Sequence, residues 1–218
     1  MQPSSEQATE MVAAVISSHD GPGAVTLQRV SRPEPAANEV VVRVLAAGVA
    51  FPEVLQTRGR YQMQPAMPFV PGSEVAGELV RVPDGYHLGI GERVIAYPRI
   101  GGFSEYAVAR SDLVFPLPPE LTRDHGAGML LNYCTAHYAL LRRGRLVPGE
   151  RVLVHGAAGG LGSATVQVAR AFGAAEVIAV VSTPEKEAVA AAAGATQVVS
   201  ALTFASGNAV VTGGRSAP

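Results

Sequence analysis

The segment that decides the fold joins a short apolar run to a glycine-rich turn: Arg151-Val152-Leu153-Val154-His155-Gly156-Ala157-Ala158-Gly159-Gly160-Leu161-Gly162. The apolar run is typical of a strand buried on both faces of a parallel sheet. Apolar residues at helical spacing follow the turn and predict a helix that ends at Gly173. The predicted buried stripe of that helix is Leu161, Thr165, Val168, Ala169 and Phe172.

Downstream of this helix, the pattern of strand and helix repeats. The predicted second strand, second helix and third strand are residues 176–181, 183–194 and 197–200, with Thr183 at the N-cap and Pro184 at the first helical position. Strand, helix, strand, helix and strand in this order form half of a doubly wound nucleotide-binding fold. The residues after Leu202 are small, polar and glycine-rich, so we expect a poorly ordered tail.

Upstream, residues 11–118 alternate short apolar runs with glycine, proline, asparagine and aspartate, which predicts an antiparallel β domain. The clearest alternation places Val40, Val42 and Val44 on one face of a strand. The four predicted strands are residues 39–44, 77–82, 92–97 and 104–109. The spacing then becomes helical over residues 123–141, with few turn residues.

The composition limits the class of protein. The 218 residues include 17 Lys and Arg against 18 Asp and Glu, a formal net charge of -1. A nucleic-acid surface needs an excess of basic residues, so nucleic acid is not an expected partner. The single cysteine, Cys134, excludes an intrachain disulfide framework and a zinc site of several thiolates. The sequence has no secretory signal pattern and no run of ~18 apolar residues, so we expect a cytoplasmic protein without a membrane partner.

The glycine-rich turn is a candidate phosphate-binding loop. Gly159, Gly160 and Gly162 lie between a predicted strand and a predicted helix, which is the context of a dinucleotide fingerprint. Gly159 would let a pyrophosphate approach the backbone, and Gly162 would let the helix pack closely on the strand. Ala157 stands at the first glycine position of the usual fingerprint. Tight turns also use glycine for structural reasons alone, and that alternative stays open.

The end of the second predicted strand bears on the choice of cofactor. Enzymes that use NAD place an acidic residue about 20 residues after the fingerprint, where it binds the ribose 2′-hydroxyl. Ser182 occupies that position here. Ser182 or Thr183, together with Lys186, would hold a 2′-phosphate and so favour NADPH over NADH. Alternatively, Thr183 is only a helix cap and Lys186 only a solvated side chain, and Glu185 weakens the positive field.

Several motifs occur in the order found in one known family. They are residues 46–53 (AAGVAFPE), 58–61 (RGRY), 68–77 (PFVPGSEVAG), 91–94 (GERV) and 155–162 (HGAAGGLG). Over about residues 11–201 the chain resembles the zinc-independent quinone oxidoreductases, the zeta-crystallin-like family of the medium-chain dehydrogenase/reductase superfamily. This resemblance implies an α/β fold. Its parts are a GroES-like β domain (residues 1–122), a partial Rossmann domain with a doubly wound parallel sheet (123–202) and an atypical, disordered tail (203–218).

The resemblance also implies functional residues, each assigned by its position in a matching motif. The implied NADPH-binding residues are Asn132, Thr135, Ala158, Gly159, Gly160, Leu161, Ser182 and Lys186. The implied substrate residues are Ala50, Tyr61 and Tyr133, and Tyr61 is the candidate catalytic proton donor. Ala50 departs from the asparagine that the family commonly has. On the residues alone, Asn132, Tyr133 and Thr135 equally suit an ordinary packed helix, and Tyr61 suits a half-buried surface anchor.

The zinc alcohol dehydrogenases of the same superfamily are the competing assignment. They carry a cysteine in the segment that corresponds to residues 48–51, and a Gly-His-Glu motif where this chain has Gly72-Ser73-Glu74. One thiol in the whole chain cannot form their zinc sites, and the five histidines lack ligand spacing, so no metal is expected. Without a Lewis acid, oxidation of an alcohol is not expected.

The resemblance therefore implies zinc-independent transfer of hydride from NADPH to a quinone or an α,β-unsaturated carbonyl. The alternative is a truncated, non-catalytic member of the same family that acts by binding or association, because the later Rossmann strands have no counterpart in this sequence. A homodimer is compatible with the resemblance, although the segment that crosses between subunits in family dimers is also missing. Residues 203–218 resemble nothing in the family.

Overall fold

A computed structural model describes residues 9–205 of the chain. The chain divides into two compact units between Leu131 and Asn132, whereas the sequence pattern changes near residue 122. Of the predicted tail, residues 206–218 lie outside the described residues, while residues 203–205 belong to a short helix. Within residues 9–205, no helix is long and apolar enough to cross a membrane.

The first unit is built on antiparallel strands. They are β1 (Glu10–Val15), β2 (Thr26–Ser31), β3 (Glu39–Ala47), β4 (Val75–Arg81), β5 (Arg93–Ala96), β6 (Tyr106–Arg110) and β7 (Val114–Pro116). Strands β1 and β2 form a two-stranded sheet, and the other five form a sheet in the order β6-β3-β4-β5-β7. Two short helices accompany them, α1 (Phe51–Gln56) and α2 (Arg123–Ala127). The four predicted strands are present as β3 to β6, and β1, β2 and β7 are additional.

The core of this unit confirms the predicted alternation in β3. Val40 and Val42 are completely buried against Val75 and Leu79, and Val44 packs on the edge of the same cluster. Burial of side chains of this size stabilises the fold by about 1.5–3 kcal/mol each. The alternating valines therefore fix which face of the sheet is turned inward.

The second unit contains three parallel strands and their connecting helices. Its elements are α3 (Leu130–His137, which begins two residues before the boundary), a π-helical turn (Tyr138–Arg143), β8 (Arg151–His155), α4 (Gly160–Ala171), β9 (Glu176–Val181), α5 (Pro184–Ala192), β10 (Gln197–Ser200) and α6 (Ala201–Ala205). The strand order is β10-β9-β8, and both pairings are parallel. This confirms the predicted half of a doubly wound sheet.

The helical spacing predicted over residues 123–141 corresponds to helical structure, which is divided into α2, α3 and the π-helical turn. The C-cap of α2 is Gly128, a residue type that destabilises helix interiors by roughly 1 kcal/mol relative to alanine. Gly126 is tightly packed, since a Cβ atom there would lie 2.7 Å from Leu117 Cδ1 and 2.8 Å from Ile95 Cγ2, and these side chains would have to shift. Gly126 thus allows α2 to lie close to the sheet, and Gly128 ends the helix.

The predicted buried stripe of α4 is wrong at both ends. Leu161 is 45% exposed and Phe172 is 44% exposed. The buried residues are small or β-branched instead: Gly162, Ala164, Val166, Val168 and Ala169. They occupy two neighbouring faces, because Val166 and Ala169 pack in the core around the strands while Ala164 and Val168 pack against Ala136 of α3. A helix held between a sheet and another helix buries more than one stripe, which periodicity alone does not indicate.

Candidate functional site

A tight turn joins the carboxyl end of β8 to the amino end of α4. Gly156 adopts a positive φ of 61°, a conformation that favours glycine, and its carbonyl accepts a hydrogen bond from the Gly159 N–H at 2.9 Å. Gly159 is the N-cap of α4 and has no side chain to accept from the first-turn amides. The amides of Gly160 and Leu161 therefore lie at the positive end of the helix dipole.

Glycine stands at positions 159 and 162 of this turn for different physical reasons. A Cβ atom at position 162 would lie 2.2 Å from the carbonyl oxygen of Gly156, so Gly162 is required for the close packing predicted from the sequence. A Cβ atom at position 159 would meet only the Gly156 oxygen, at 3.4 Å, and the φ of −84° suits any residue. The chain's own packing does not require glycine at position 159. The open space beside it fits a group that approaches the backbone closely, such as a pyrophosphate.

A cavity of about 320 Å³ opens at the carboxyl ends of the three parallel strands. This is the edge of an open α/β sheet where ligands bind. The cavity brings together residues from the turn, from the end of β9, from α5 and from the start of α6. They include His155, Ala158, Gly159, Ser182, Lys186 and Ala201.

Ser182 and Lys186 form a polar pair at this cavity. Lys186 Nζ donates a hydrogen bond to Ser182 Oγ at 2.9 Å, and both residues are exposed. Thr183 lies at the N-cap of α5 as predicted, but its side chain does not cap the helix backbone. Instead, a hydrogen bond from the Thr183 hydroxyl lowers the pKa of the exposed Glu185 carboxyl. Lys186 thus points to the serine while the neighbouring carboxylate is engaged by Thr183.

Helix α3 brings one further predicted residue to the glycine turn. A Cβ atom on Gly160 would lie 2.9 Å from Asn132 Nδ2, so the Asn132 side chain lies directly against the turn. Tyr133 lies elsewhere, because its hydroxyl donates to Gln167 Oε1 at 2.8 Å and its ring lines a separate groove with His137 and other residues of α3 and α4. The structure therefore brings Asn132, but not Tyr133, to the glycine turn.

Of the remaining predicted residues, Thr135 is exposed on α3, and Ala50 and Tyr61 belong to the first unit. Ala50 is the N-cap of α1, and its N–H donates to Glu53 Oε2 at 3.0 Å. Tyr61 is half-buried in the segment that follows α1. Burial raises the pKa of the Tyr97 hydroxyl, and the proximity of Tyr61 adds to that effect. Tyr97 was not predicted, because a lone tyrosine at the end of a strand has no distinguishing pattern.

The sequence also did not indicate a group of buried polar residues in the first unit, which includes Glu53, Ser73 and Glu74. Glu53 Oε1 accepts from the Ser73 hydroxyl at 2.7 Å and from the Ser73 N–H at 3.2 Å. Glu74 is 1% exposed, and its Oε2 accepts from the Leu131 N–H at 2.9 Å. Burial raises the pKa of Glu74, and the backbone donors of Leu131 and Leu130 act in the opposite direction. Among residues 9–205, no group of three or more His, Cys, Asp or Glu side chains is arranged to hold a metal ion.

Two family models match the chain. An alcohol dehydrogenase GroES-like domain matches residues 36–119, and a domain described as a zinc-binding dehydrogenase matches residues 160–215. The second match extends into residues 203–215, which were expected to resemble nothing in the family. These two domains in this order define a medium-chain dehydrogenase/reductase.

Similar proteins narrow the class further. Mouse quinone oxidoreductase is 42% identical over 156 residues, which are 70% of this chain and 47% of the relative. A probable oxidoreductase from Mycobacterium abscessus has a TM-score of 0.84 and 39% identity, covering 91% of this chain and 66% of that structure. The quinone oxidoreductase of Thermus thermophilus, whose structure was also solved with NADPH, has a TM-score of 0.77 and 37% identity. The match covers 88% of this chain and 61% of that structure.

The chain belongs to the quinone oxidoreductase family of the medium-chain dehydrogenase/reductase superfamily. Members of this family are oxidoreductases, and the GroES-like domain followed by a parallel sheet confirms the predicted fold class. The chain spans about half the length of the curated relatives it matches, from 47% in mouse to 55% in human.

Proposed function

We propose that this chain binds NADPH at the carboxyl edge of its parallel sheet and transfers hydride to a quinone or an α,β-unsaturated carbonyl. One observation carries the proposal: a glycine that the fold does not need, Gly159, shares a cavity with the Ser182–Lys186 pair. One ligand that carries two separate phosphate groups would explain both features. NADPH has a pyrophosphate and a ribose 2′-phosphate.

The pyrophosphate would be held by the backbone of the turn. The first-turn amides of Gly160 and Leu161 are the proposed donors, because the Gly159 N–H already donates to the Gly156 carbonyl. Ala158 and Gly159 line the cavity. The helix dipole of α4 adds a favourable interaction of about 0.3–1 kcal/mol with a negative charge. Asn132 and Thr135 on α3 are proposed to contact the nicotinamide, and the closeness of Asn132 to Gly160 supports this for Asn132.

The preference for NADPH over NADH would come from the end of β9. Ser182 replaces the acidic residue that binds the 2′-hydroxyl of NAD, and Lys186 provides the charge that attracts a 2′-phosphate. Lys186 donates to Ser182 Oγ, while the pKa of Glu185 is lowered by the Thr183 hydroxyl and, less strongly, by Lys186, so its carboxylate keeps a negative charge nearby. Ser182 and Lys186 favour the phosphorylated cofactor, and Glu185 acts against it.

We propose that the reaction does not use zinc. Ser73 stands where the zinc alcohol dehydrogenases have their histidine ligand, and its hydroxyl is committed to Glu53. Ala50 lies in the segment where those enzymes carry a cysteine. The single thiol of the chain also suits the reducing environment of the cytoplasm, which is the location we propose.

Bound NADPH supplies the hydride, so the chain itself has to bind, orient and protonate. An electron-poor acceptor needs little acid catalysis and depends mainly on alignment with the cofactor. Ala50, Tyr61 and Tyr133 are the proposed substrate residues, although Tyr133 lines a separate groove. The half-buried Tyr61 hydroxyl is the proposed proton donor.

The proposal is tested by titrating the purified 218-residue chain with NADPH and NADH. The fluorescence of the reduced nicotinamide reports binding without interference, because the chain contains no tryptophan. We expect saturable binding that prefers NADPH, and a loss of that preference in Lys186→Ala. A folded chain that binds neither nucleotide would refute the proposal.

The same preparation separates catalysis from the alternative, a family member that associates without turnover. The absorbance of NADPH is followed after addition of a quinone or an enone. Binding with acceptor-dependent oxidation of NADPH supports the reductase. Binding without oxidation, over a panel of both acceptor classes, supports the non-catalytic alternative.

A further inference from the structure

An aromatic pair links α6 to the end of β8. The rings of His155 and Phe204 lie with their centroids 5.2 Å apart and their planes at 78°, an edge-to-face arrangement. This geometry is favoured because the positive edge of one ring meets the negative face of the other, and it contributes about 0.5–1.5 kcal/mol beyond burial. Phe204 therefore restricts the orientation of an imidazole that would otherwise rotate freely.

The restricted ring belongs to the candidate cofactor cavity. His155 lines that cavity, and so does Ala201, the first residue of the helix that carries Phe204. Helix α6 follows β10 directly, so the chain after the third strand turns back toward β8. The segment beyond β10 is thus part of the wall of the cavity.

The position of the phosphate-binding pair identifies which part of a dinucleotide this wall would meet. Ser182 and Lys186 line the same cavity as His155. In NADPH the 2′-phosphate is attached to the ribose that carries adenine. The base nearest to that phosphate is therefore adenine, not nicotinamide.

We infer that His155 forms the aromatic wall that contacts the adenine base of NADPH and that Phe204 is a positioning residue that acts through His155. The inference rests on the proposed function, because it assigns a role within the same cavity. Stacking of a base on an aromatic side chain contributes about 1–3 kcal/mol. Phe204 contributes indirectly, because it fixes the ring before the ligand arrives.

The test uses fragments of the cofactor as probes. Calorimetric titration of the full chain measures the affinity for adenosine 2′,5′-bisphosphate and for reduced nicotinamide mononucleotide. We expect His155→Ala to bind the bisphosphate about tenfold more weakly, within the range of one base stack. Phe204→Leu, which retains apolar bulk but lacks a ring, should show a smaller loss, and Phe204→Tyr should restore wild-type affinity. Affinity for the mononucleotide should not change in any variant.

A matched control is available in the same unit. His137 and Phe172 form a second edge-to-face pair, with centroids 5.5 Å apart, and neither residue lines the cavity. Phe172→Leu should therefore leave both affinities unchanged. If Phe172→Leu loses as much affinity for the bisphosphate as Phe204→Leu does, the effect comes from general destabilisation and the inference is overturned.

The remaining outcomes distinguish the inference from the proposed function. Wild-type chain that binds neither NADPH nor the bisphosphate would refute the proposed function and the inference with it. Wild-type binding that is unaffected by His155→Ala and Phe204→Leu would refute the inference alone. Loss of affinity confined to the mononucleotide would place the ring against the nicotinamide and overturn the assignment to adenine.

Discussion

A Cβ atom at position 162 would lie 2.2 Å from the carbonyl oxygen of Gly156, so these two residues are in contact only because residue 162 has no side chain. The contact fixes how closely α4 approaches β8. It also holds the amino end of α4 next to the cavity that its N-cap, Gly159, lines. One steric relationship therefore supports both the packing of the second unit and its candidate phosphate site.

The first prediction separates two glycines of the turn. Gly162→Ala should lower Tm by several degrees, because overpacking of this kind costs about 1–3 kcal/mol. Gly159→Ala should leave Tm nearly unchanged but weaken NADPH binding, because its Cβ atom would enter the proposed pyrophosphate space. Thermal melts and nucleotide fluorescence on both variants check this. Equal effects of the two substitutions on Tm would contradict it.

The second prediction concerns the choice of cofactor. Ser182→Asp should weaken NADPH binding at least about tenfold and strengthen NADH binding, because a carboxylate repels a 2′-phosphate and accepts from a 2′-hydroxyl. The ratio of the two dissociation constants is the measurement. Ser31→Asp, at the exposed end of β2 in the first unit, serves as a control with the same change of residue and charge. The assignment of the 2′-phosphate site fails if both variants weaken NADPH to the same extent.

The third prediction tests the contact between Asn132 and Gly160. Gly160→Ala should lower Tm only slightly, because its Cβ atom would lie 2.9 Å from Asn132 Nδ2, the far end of a side chain that can shift. Adding Asn132→Ala should recover most of the lost Tm, since the shorter side chain removes the clash. The two substitutions should therefore be non-additive in a double-mutant cycle. Additive effects would show that the two residues do not interact.

The fourth prediction follows from the burial of Glu74. Burial raises its pKa above the ordinary value of 4.5, so the folded chain binds this proton more tightly than the unfolded chain. The unfolding free energy contributed by Glu74 therefore falls as pH rises above about 4.5. Glu74→Gln retains an acceptor for the Leu131 N–H but does not titrate. The Tm of the wild type relative to this variant should decrease from about pH 4.5 to neutral pH. A difference that stays constant with pH would contradict the prediction.

The fifth prediction concerns Tyr61. Tyr61→Phe should lower kcat for a quinone by about tenfold or more, the lower part of the range for loss of a proton donor. Binding of NADPH should be unchanged, because Tyr61 belongs to the first unit and is not among the residues of the cofactor cavity. Stopped-flow measurement of NADPH oxidation, combined with fluorescence titration, separates the two effects. An unchanged kcat would show that Tyr61 is not the proton donor.

The sequence was most informative where a local pattern has a single physical explanation. The strands β8, β9 and β10 were predicted because short apolar runs separated by helical spacing suit a buried parallel sheet. The start of α5 was predicted because threonine followed by proline favours a helix N-terminus. The glycine turn was recognised for the same reason, since its context is strand and then helix.

Prediction failed where packing from a distant segment decides the result. Leu161 and Phe172 follow the helical period of α4 but are nearly half exposed, whereas Ala164 and Val166, outside the predicted stripe, are buried. The region of helical spacing over residues 123–141 is divided because Gly126 and Gly128 serve close packing and helix termination. Both results depend on neighbours that are remote in sequence.

The sequence by itself determined the class of fold, the position of the glycine turn and the family, because these depend on residue order and on motifs. Only the tertiary structure decided which glycine is structural, which side chains share the cavity and which carboxylate is buried. Ser182 and Lys186 become one polar pair because a helical turn brings them together. His155 and Phe204 meet because the chain returns after β10. Such relationships depend on distances in space, which no local pattern of residues contains.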